Sequence, residues 1–134
     1  MKWLSAWLAF CLLTVTAQAQ GLTCEAPAKP MLRAELMFGR NIGGHLGVTD
    51  ARWQHYVARE LTPRFPDGLT VLDAQGQWRN ERGAIVRERS KLVVVVTTDD
   101  SAARERIAAA TAAYRQRFKQ QSVGVLTRPV CAAF

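Results

Sequence analysis

Between Arg64 and Lys91 the chain concentrates side chains that could bind or move charge: Arg64, Asp67, Thr70, Trp78, Arg79, Arg87, Glu88, Ser90 and Lys91. Within this stretch IVRERSKL alternates, and a strand sends successive side chains to opposite faces. Arg87, Arg89 and Lys91 therefore fall on one face. Val86, Glu88, Ser90 and Leu92 fall on the other, so Glu88 and Ser90 are expected to share a face with core residues. A carboxylate there needs a cation beside it, because burying it alone is costly. Arg79 and Arg64 are the expected partners. One reading is an Arg–Glu pair that fixes the hairpin. The other is a polar pocket in which Glu88 accepts or moves a proton and an arginine holds an anionic ligand.

Other chemistries fare worse. The loop Gly39–Gly47 precedes a helix, the place of a phosphate-binding loop, but it lacks a Gly-Lys-Ser/Thr ending and Asp50 would repel an anion there. A plain connection is the expectation. His45 and His55 have neither HxH nor HxxxH spacing, and two cysteines alone cannot make a structural zinc site, so no metal is expected. Ser90 lacks the elbow glycines of a hydrolase nucleophile. No cofactor is implied.

The N-terminus, MKWLSAWLAFCLLTVTAQAQ, reads as a signal peptide over residues 1–19: basic Lys2, a short apolar core from Trp3 to Val15, then Ala17-Gln18-Ala19. Cleavage after Ala19 leaves 134 − 19 = 115 residues, enough for one domain. Lipoprotein anchoring fits less well, because Cys11 follows Phe10 and Cys24 follows Thr23. The expected location is periplasmic or secreted. Cys24 and Cys131 then form an even pair in an oxidising compartment, and a disulfide is expected. The net charge is +7, or +6 without Lys2. An exported protein rarely meets nucleic acid, so anionic envelope surfaces or an acidic partner are the available counterparts.

The elements that position these residues read as β-α-β-β-α-β. Residues 20–30 form an extended leader with Pro27 and Pro30, and the domain spans 31–134. Leu32, Ala34, Leu36 and Phe38 alternate with Arg33, Glu35 and Met37 in a half-buried strand. A helix follows, with Thr49 as its N-cap, Val48 stapled onto Trp53, and Trp53, Tyr56, Val57 and Leu61 as its buried stripe. Pro63 and Pro66 stop it, Phe65 plugs the core edge, and Asp67-Gly68 turns into a long hairpin around NERG, with an irregularity near Gly76. Leu92–Val96 is apolar on both faces, as in a central strand. A second helix, capped at Asp100 or Ser101, places Ile107, Ala110, Thr111, Tyr114 and Phe118 on one face, and SVGVLTRPV is the last strand. This is the ferredoxin-like order: α+β, with a four-stranded antiparallel sheet of order 4-1-3-2 and two helices on one face. First and last strands are then neighbours, which brings Cys24 and Cys131 together.

MFGR, TPRFPDGLTVLDAQGQWR, IVRERSKLVVVV and the ending PVCAAF resemble the uncharacterised bacterial family catalogued as domain of unknown function 3574. The resemblance runs from Leu32 to Phe134. It implies an exported small domain, and no activity or catalytic residue comes with it. Three classes of function remain: a module binding a small ligand, an envelope protein or a second copy through the open sheet face; a cofactor-free enzyme of the dimeric ferredoxin-like monooxygenase or isomerase type, with a Glu88/Arg pocket; and an accessory domain binding acidic surface polymers.

Overall fold

The computed structural model describes residues 21–134, so the expected signal peptide lies outside the described residues. The elements are β1 (Lys29–Gly39), β2 (Asn41–Ile42), β3 (His45–Leu46), α1 (Asp50–Tyr56), β4 (Thr70–Arg79), β5 (Ile85–Thr97), α2 (Ser101–Phe118) and β6 (Gly124–Ala132). The main sheet has the order β4-β5-β1-β6, antiparallel throughout. Counted in chain order, its four long strands stand fourth, first, third, second from the β6 edge. β1 begins at Lys29, inside the expected leader. Over Lys29–Met31 it pairs with β6 but not with β5, so Pro30 interrupts no β5 ladder.

Alternation in β1 holds: Leu32, Ala34, Leu36 and Phe38 are buried. Both helices cover this face. Phe38 meets Trp53, Tyr56 and Tyr114 with ring centroids 5.3, 5.6 and 4.7 Å apart, the tilted and edge-on packing that aromatic quadrupoles prefer. The Tyr56 hydroxyl donates to the Ala110 carbonyl at 2.8 Å, tying α1 to α2, and the Tyr114 hydroxyl donates to the Gly39 carbonyl at 2.7 Å, tying α2 to β1. Burial raises both phenols well above their ordinary range.

Thr49 caps α1 by accepting from the Arg52 N–H at 3.3 Å, and Asp100 caps α2 by accepting from Ala103 at 2.7 Å. After Tyr56 the helix widens into a π-helical turn, Val57–Leu61, closed by Thr62 N–H to the Val57 carbonyl at 2.8 Å. At about 3.6 residues per turn, Leu61 would point away from the face of Tyr56. The wider turn brings it back, and both are fully buried while Val57 is only partly so. Phe65 is buried, and its carbonyl accepts from Gly68 at 3.1 Å across the Pro66-Asp67 turn.

Two details differ from the sequence reading. β4 and β5 pair in unbroken register from Thr70↔Val94 to Arg79↔Ile85, so there is no irregularity at Gly76, which pairs directly with Glu88. The Gly39–Gly47 loop holds a second, two-stranded sheet, β2–β3. Gly43 and Gly44 take φ of 58° and 84° in its two-residue turn, a conformation open to glycine at little cost. The N–H groups of Gly47 and Val48 both go to the Arg40 carbonyl, at 3.0 and 2.9 Å, and so are spent within the chain.

Candidate functional site

The faces of β5 are the reverse of the expectation. Val93 and Val95 pair with Leu36 and Ala34 and are buried with them, and Lys91 pairs with Phe38. Lys91, Arg89 and Arg87 therefore belong to the helix-facing side, and Glu88, Ser90 and Leu92 to the open side. The apolar run Leu92–Val96 fits either orientation by itself. Register with β1 decides it.

On the helix-facing side the β1 alternation carries on past Phe38 to Arg40, which is only 3% exposed, and beside it Lys91 is 8% exposed. Arg40 Nε donates to the Val48 carbonyl at 2.8 Å. Asp50 Oδ1 lies 2.9 Å from Arg40 Nη2 and 3.5 Å from Lys91 Nζ, and Asp73 Oδ1 accepts from Lys91 Nζ at 2.5 Å. That bond, and then the Lys91 charge, holds the Asp73 carboxyl below the usual carboxylate range. A cleft of about 410 Å³ opens here, lined by Arg40, Asp50, Asp73, Ala74, Gln75 and Arg89.

On the open side Glu88 accepts from the Asn41 backbone N–H and from the Trp78 indole, both at 3.1 Å. Neither expected arginine reaches it: Arg79 donates to the Gly83 carbonyl at 2.7 Å, and Arg64 pairs with Glu60 at 2.7 Å. The other expected site residues are dispersed. Asp67 lies in an exposed turn, Thr70 opens β4, Arg87 is exposed on the helix-facing side, and half-buried Ser90 pairs with Gly39 on the open side. Of the expected set, Glu88 and Trp78 meet, and Lys91 stands across the sheet from them.

The sequence reading missed Arg40, Asp50, Asp73, Gln75 and Arg89 as a group. The signal for Arg40 was present: two more residues of the same alternation place a cation on the buried face, where it needs a partner. Nothing local marks Asp73, whose place is set by the β4–β5 register, Asp73↔Lys91. Among the described residues no cluster of three or more His, Cys, Asp or Glu side chains is arranged to hold a metal ion, and no helix is long and apolar enough to cross a membrane.

The fold and site define a small α+β domain with one helix-covered sheet face, one open face and an ion-paired cleft at the sheet's end. The chain belongs to a family described as a protein of unknown function (DUF3574), whose model matches residues 33–134. No curated protein matches it. Among solved structures it is similar to a phage SAM lyase in complex with S-methyl-5'-thioadenosine, at TM-score 0.61 and 18% identity over 76% of this chain and 90% of that one. The same phage enzyme in its apo state gives 0.62 and 17% over 84% and 92%. CutA from Synechococcus elongatus PCC7942 gives 0.51 and 17% over 77% and 80%. At these identities the likeness is one of fold.

Proposed function

We propose that the protein is an exported, ferredoxin-like binding module that uses its open sheet face to dock a second copy of itself. One observation carries this reading. Leu72, Leu92 and Met37 pair in a row across β4, β5 and β1 on the face without helices, and Leu72 and Met37 are exposed, as is Leu126, which stands opposite Glu35 on β6 one same-face position from Met37. Contiguous apolar surface of this kind usually finds a partner. The same face carries Arg33 and Glu35, paired at 2.9 Å, and Arg128 opposite Arg33. Having both charge signs beside an apolar row suits a self-complementary two-fold contact. Export is supported by Ala17-Gln18-Ala19 behind a short apolar core and by the Cys24–Cys131 disulfide.

The experiment is light scattering across concentrations on the mature chain and on Leu72→Asp. The parent should be a dimer, and the variant a monomer with unchanged circular dichroism. A parent that stays monomeric at high concentration defeats the reading.

A cofactor-free enzyme is the second reading. Its support is the fold shared with the phage SAM lyase. Arg64 and Arg79 do not partner Glu88, whose carboxylate accepts from indole and backbone donors instead. What this reading has to draw on is an open cleft of about 370 Å³ lined by Gln75, Gly76, Gln77, Arg87, Glu88 and Arg89.

A further inference from the structure

The cleft on the helix-facing side is built unlike an ordinary surface ion-pair cluster. Its cations are fixed and its anions are loose. Arg40 and Lys91 are both more than nine-tenths buried, whereas the side chains of Asp50 and Asp73 are 71% and 81% exposed. Arg40 is anchored through Nε to the Val48 carbonyl. Its Nη2 is also buried, yet it makes no aligned hydrogen bond: the Asp50 oxygen is near enough for Coulomb attraction but out of line, and no other acceptor meets it. A buried guanidinium N–H without an acceptor is costly, and this one belongs to a residue that lines the open cleft.

The charges do not cancel either. Arg40, Lys91 and exposed Arg89 give three positive charges against two from Asp50 and Asp73. One further negative charge would balance the site with Asp50 in place, and two would balance it with Asp50 turned away. A planar carboxylate suits a guanidinium by offering two parallel acceptor oxygens, and the groups already meeting these cations are carboxylates.

We propose that this cleft binds a small organic carboxylate, whose oxygens take over Arg40 Nη2 and Lys91 Nζ as Asp50 swings out into solvent, with Arg89 and Gln75 holding the rest of the molecule at the mouth. A cleft of about 410 Å³ is in the range of small-molecule sites. Asp50 acts as a placeholder: it offsets part of the positive charge while the site is empty and yields to a better-aligned acceptor. Binding is reversible and involves no covalent step. The site lies on the opposite side of the sheet from the proposed self-association face, so either proposal can fail without the other.

The test is calorimetric titration and thermal unfolding of the mature chain with sodium succinate, with inorganic phosphate as a tetrahedral anion and sodium chloride at matched ionic strength as control. Succinate should give a saturable heat and a saturable rise in Tm. Arg89→Gln, an exposed change that leaves the core untouched, should weaken succinate about tenfold, the worth of one charge-assisted hydrogen bond. Asp50→Asn should tighten it, because the competing carboxylate is gone. If Arg40→Gln does not fold, these two variants still decide the matter. Succinate indistinguishable from chloride overturns the site. Saturable phosphate with inert succinate overturns the carboxylate assignment. Unchanged or weaker succinate binding in Asp50→Asn overturns the placeholder role.

Discussion

The carboxylate of Glu88 occupies the space where a Cβ on Gly39 would stand: both its oxygens would lie 2.7 Å from that atom. The glycine of MFGR is thus explained by a side chain arriving from another strand rather than by its own backbone, since its φ is not positive. The carboxylate crosses bare backbone to reach the Asn41 N–H, and from there it also receives the Trp78 indole. Gly39→Ala should push Glu88 aside and break both bonds. Because the group displaced is the end of a flexible chain, the cost should be moderate, about 1–2 kcal/mol for two part-exposed hydrogen bonds. Denaturant unfolding measures it, and Trp78 fluorescence should shift in the folded variant.

Glu88 itself should tolerate one substitution and resist another. Glu88→Gln keeps one acceptor oxygen, enough for either the Asn41 N–H or the Trp78 indole but not both, and should cost about 0.5–1 kcal/mol, less than losing both acceptors. Glu88→Leu removes the acceptor from Asn41 and Trp78 and should cost about 1–3 kcal/mol. Thermal melts of the two variants decide it. Equal, negligible shifts would mean that the carboxylate does not organise the β1–β2 junction.

These contacts show what was legible. Strand and helix faces followed from periodicity where one face was apolar and the other polar, as in Leu32–Phe38 and in α2. The face of β5 was not legible, because Leu92–Val96 is apolar on both sides and the polar residues before it carry no label. Its partner strand settled the question, and so carried Glu88 away from the core and Lys91 into it. The β2–β3 hairpin had a local signal, two glycines between short extended pairs, which a loop reading passed over. The π-helical turn had none: it exists because Tyr56 and Leu61 must both be buried, a demand of tertiary packing.

Alkaline pH should unfold the protein through Tyr56 and Tyr114. Burial is the main cause that raises both phenols. Below the ordinary tyrosine value of about 10, both are protonated in either state and their contribution is intact. Above it the unfolded chain releases two protons that the folded chain keeps, so stability falls as pH rises, by up to about 1.4 kcal/mol per tyrosine per pH unit. Denaturant melts between neutral and alkaline pH give the slope. Tyr114→Phe should halve it, and a flat profile past the ordinary tyrosine range would mean that the phenols are accessible.

Lys119 closes α2 in the left-handed region, at φ 54° and ψ 37°, where a side chain costs about 1–2 kcal/mol. Its N–H and that of Gln120 both reach the Arg115 carbonyl, so the conformation is required for the cap. Lys119→Gly should relieve the strain and return part of it as unfolded-chain entropy, for a net gain of about 0.5–1 kcal/mol. A rise in Tm checks this, with Lys119→Ala as the control that should not rise.

Cys24 and Cys131 are joined by a disulfide with Cα atoms 5.6 Å apart. The sheet makes this possible. β6 is the edge strand beside β1, and Cys131 pairs with Pro30 near the start of β1, where the chain arrives from Cys24. Between Cys24 and β1 the leader is held by one turn, Ala28 N–H to the Glu25 carbonyl at 2.9 Å. The bond spans 107 residues, for which chain entropy alone gives roughly 4–5 kcal/mol, the upper end of what disulfides contribute. Removing it should act in two places. The unfolded ensemble gains freedom, and the leader loses its only covalent hold on the β6 end. Cys24→Ser with Cys131→Ser should therefore melt lower, and amide exchange should quicken first in residues 21–31 and at the end of β6, while Leu36, Phe38 and Tyr114 stay protected. If the double variant melts like the parent and its leader exchanges no faster, then the β1–β6 ladder holds the leader without help from the disulfide.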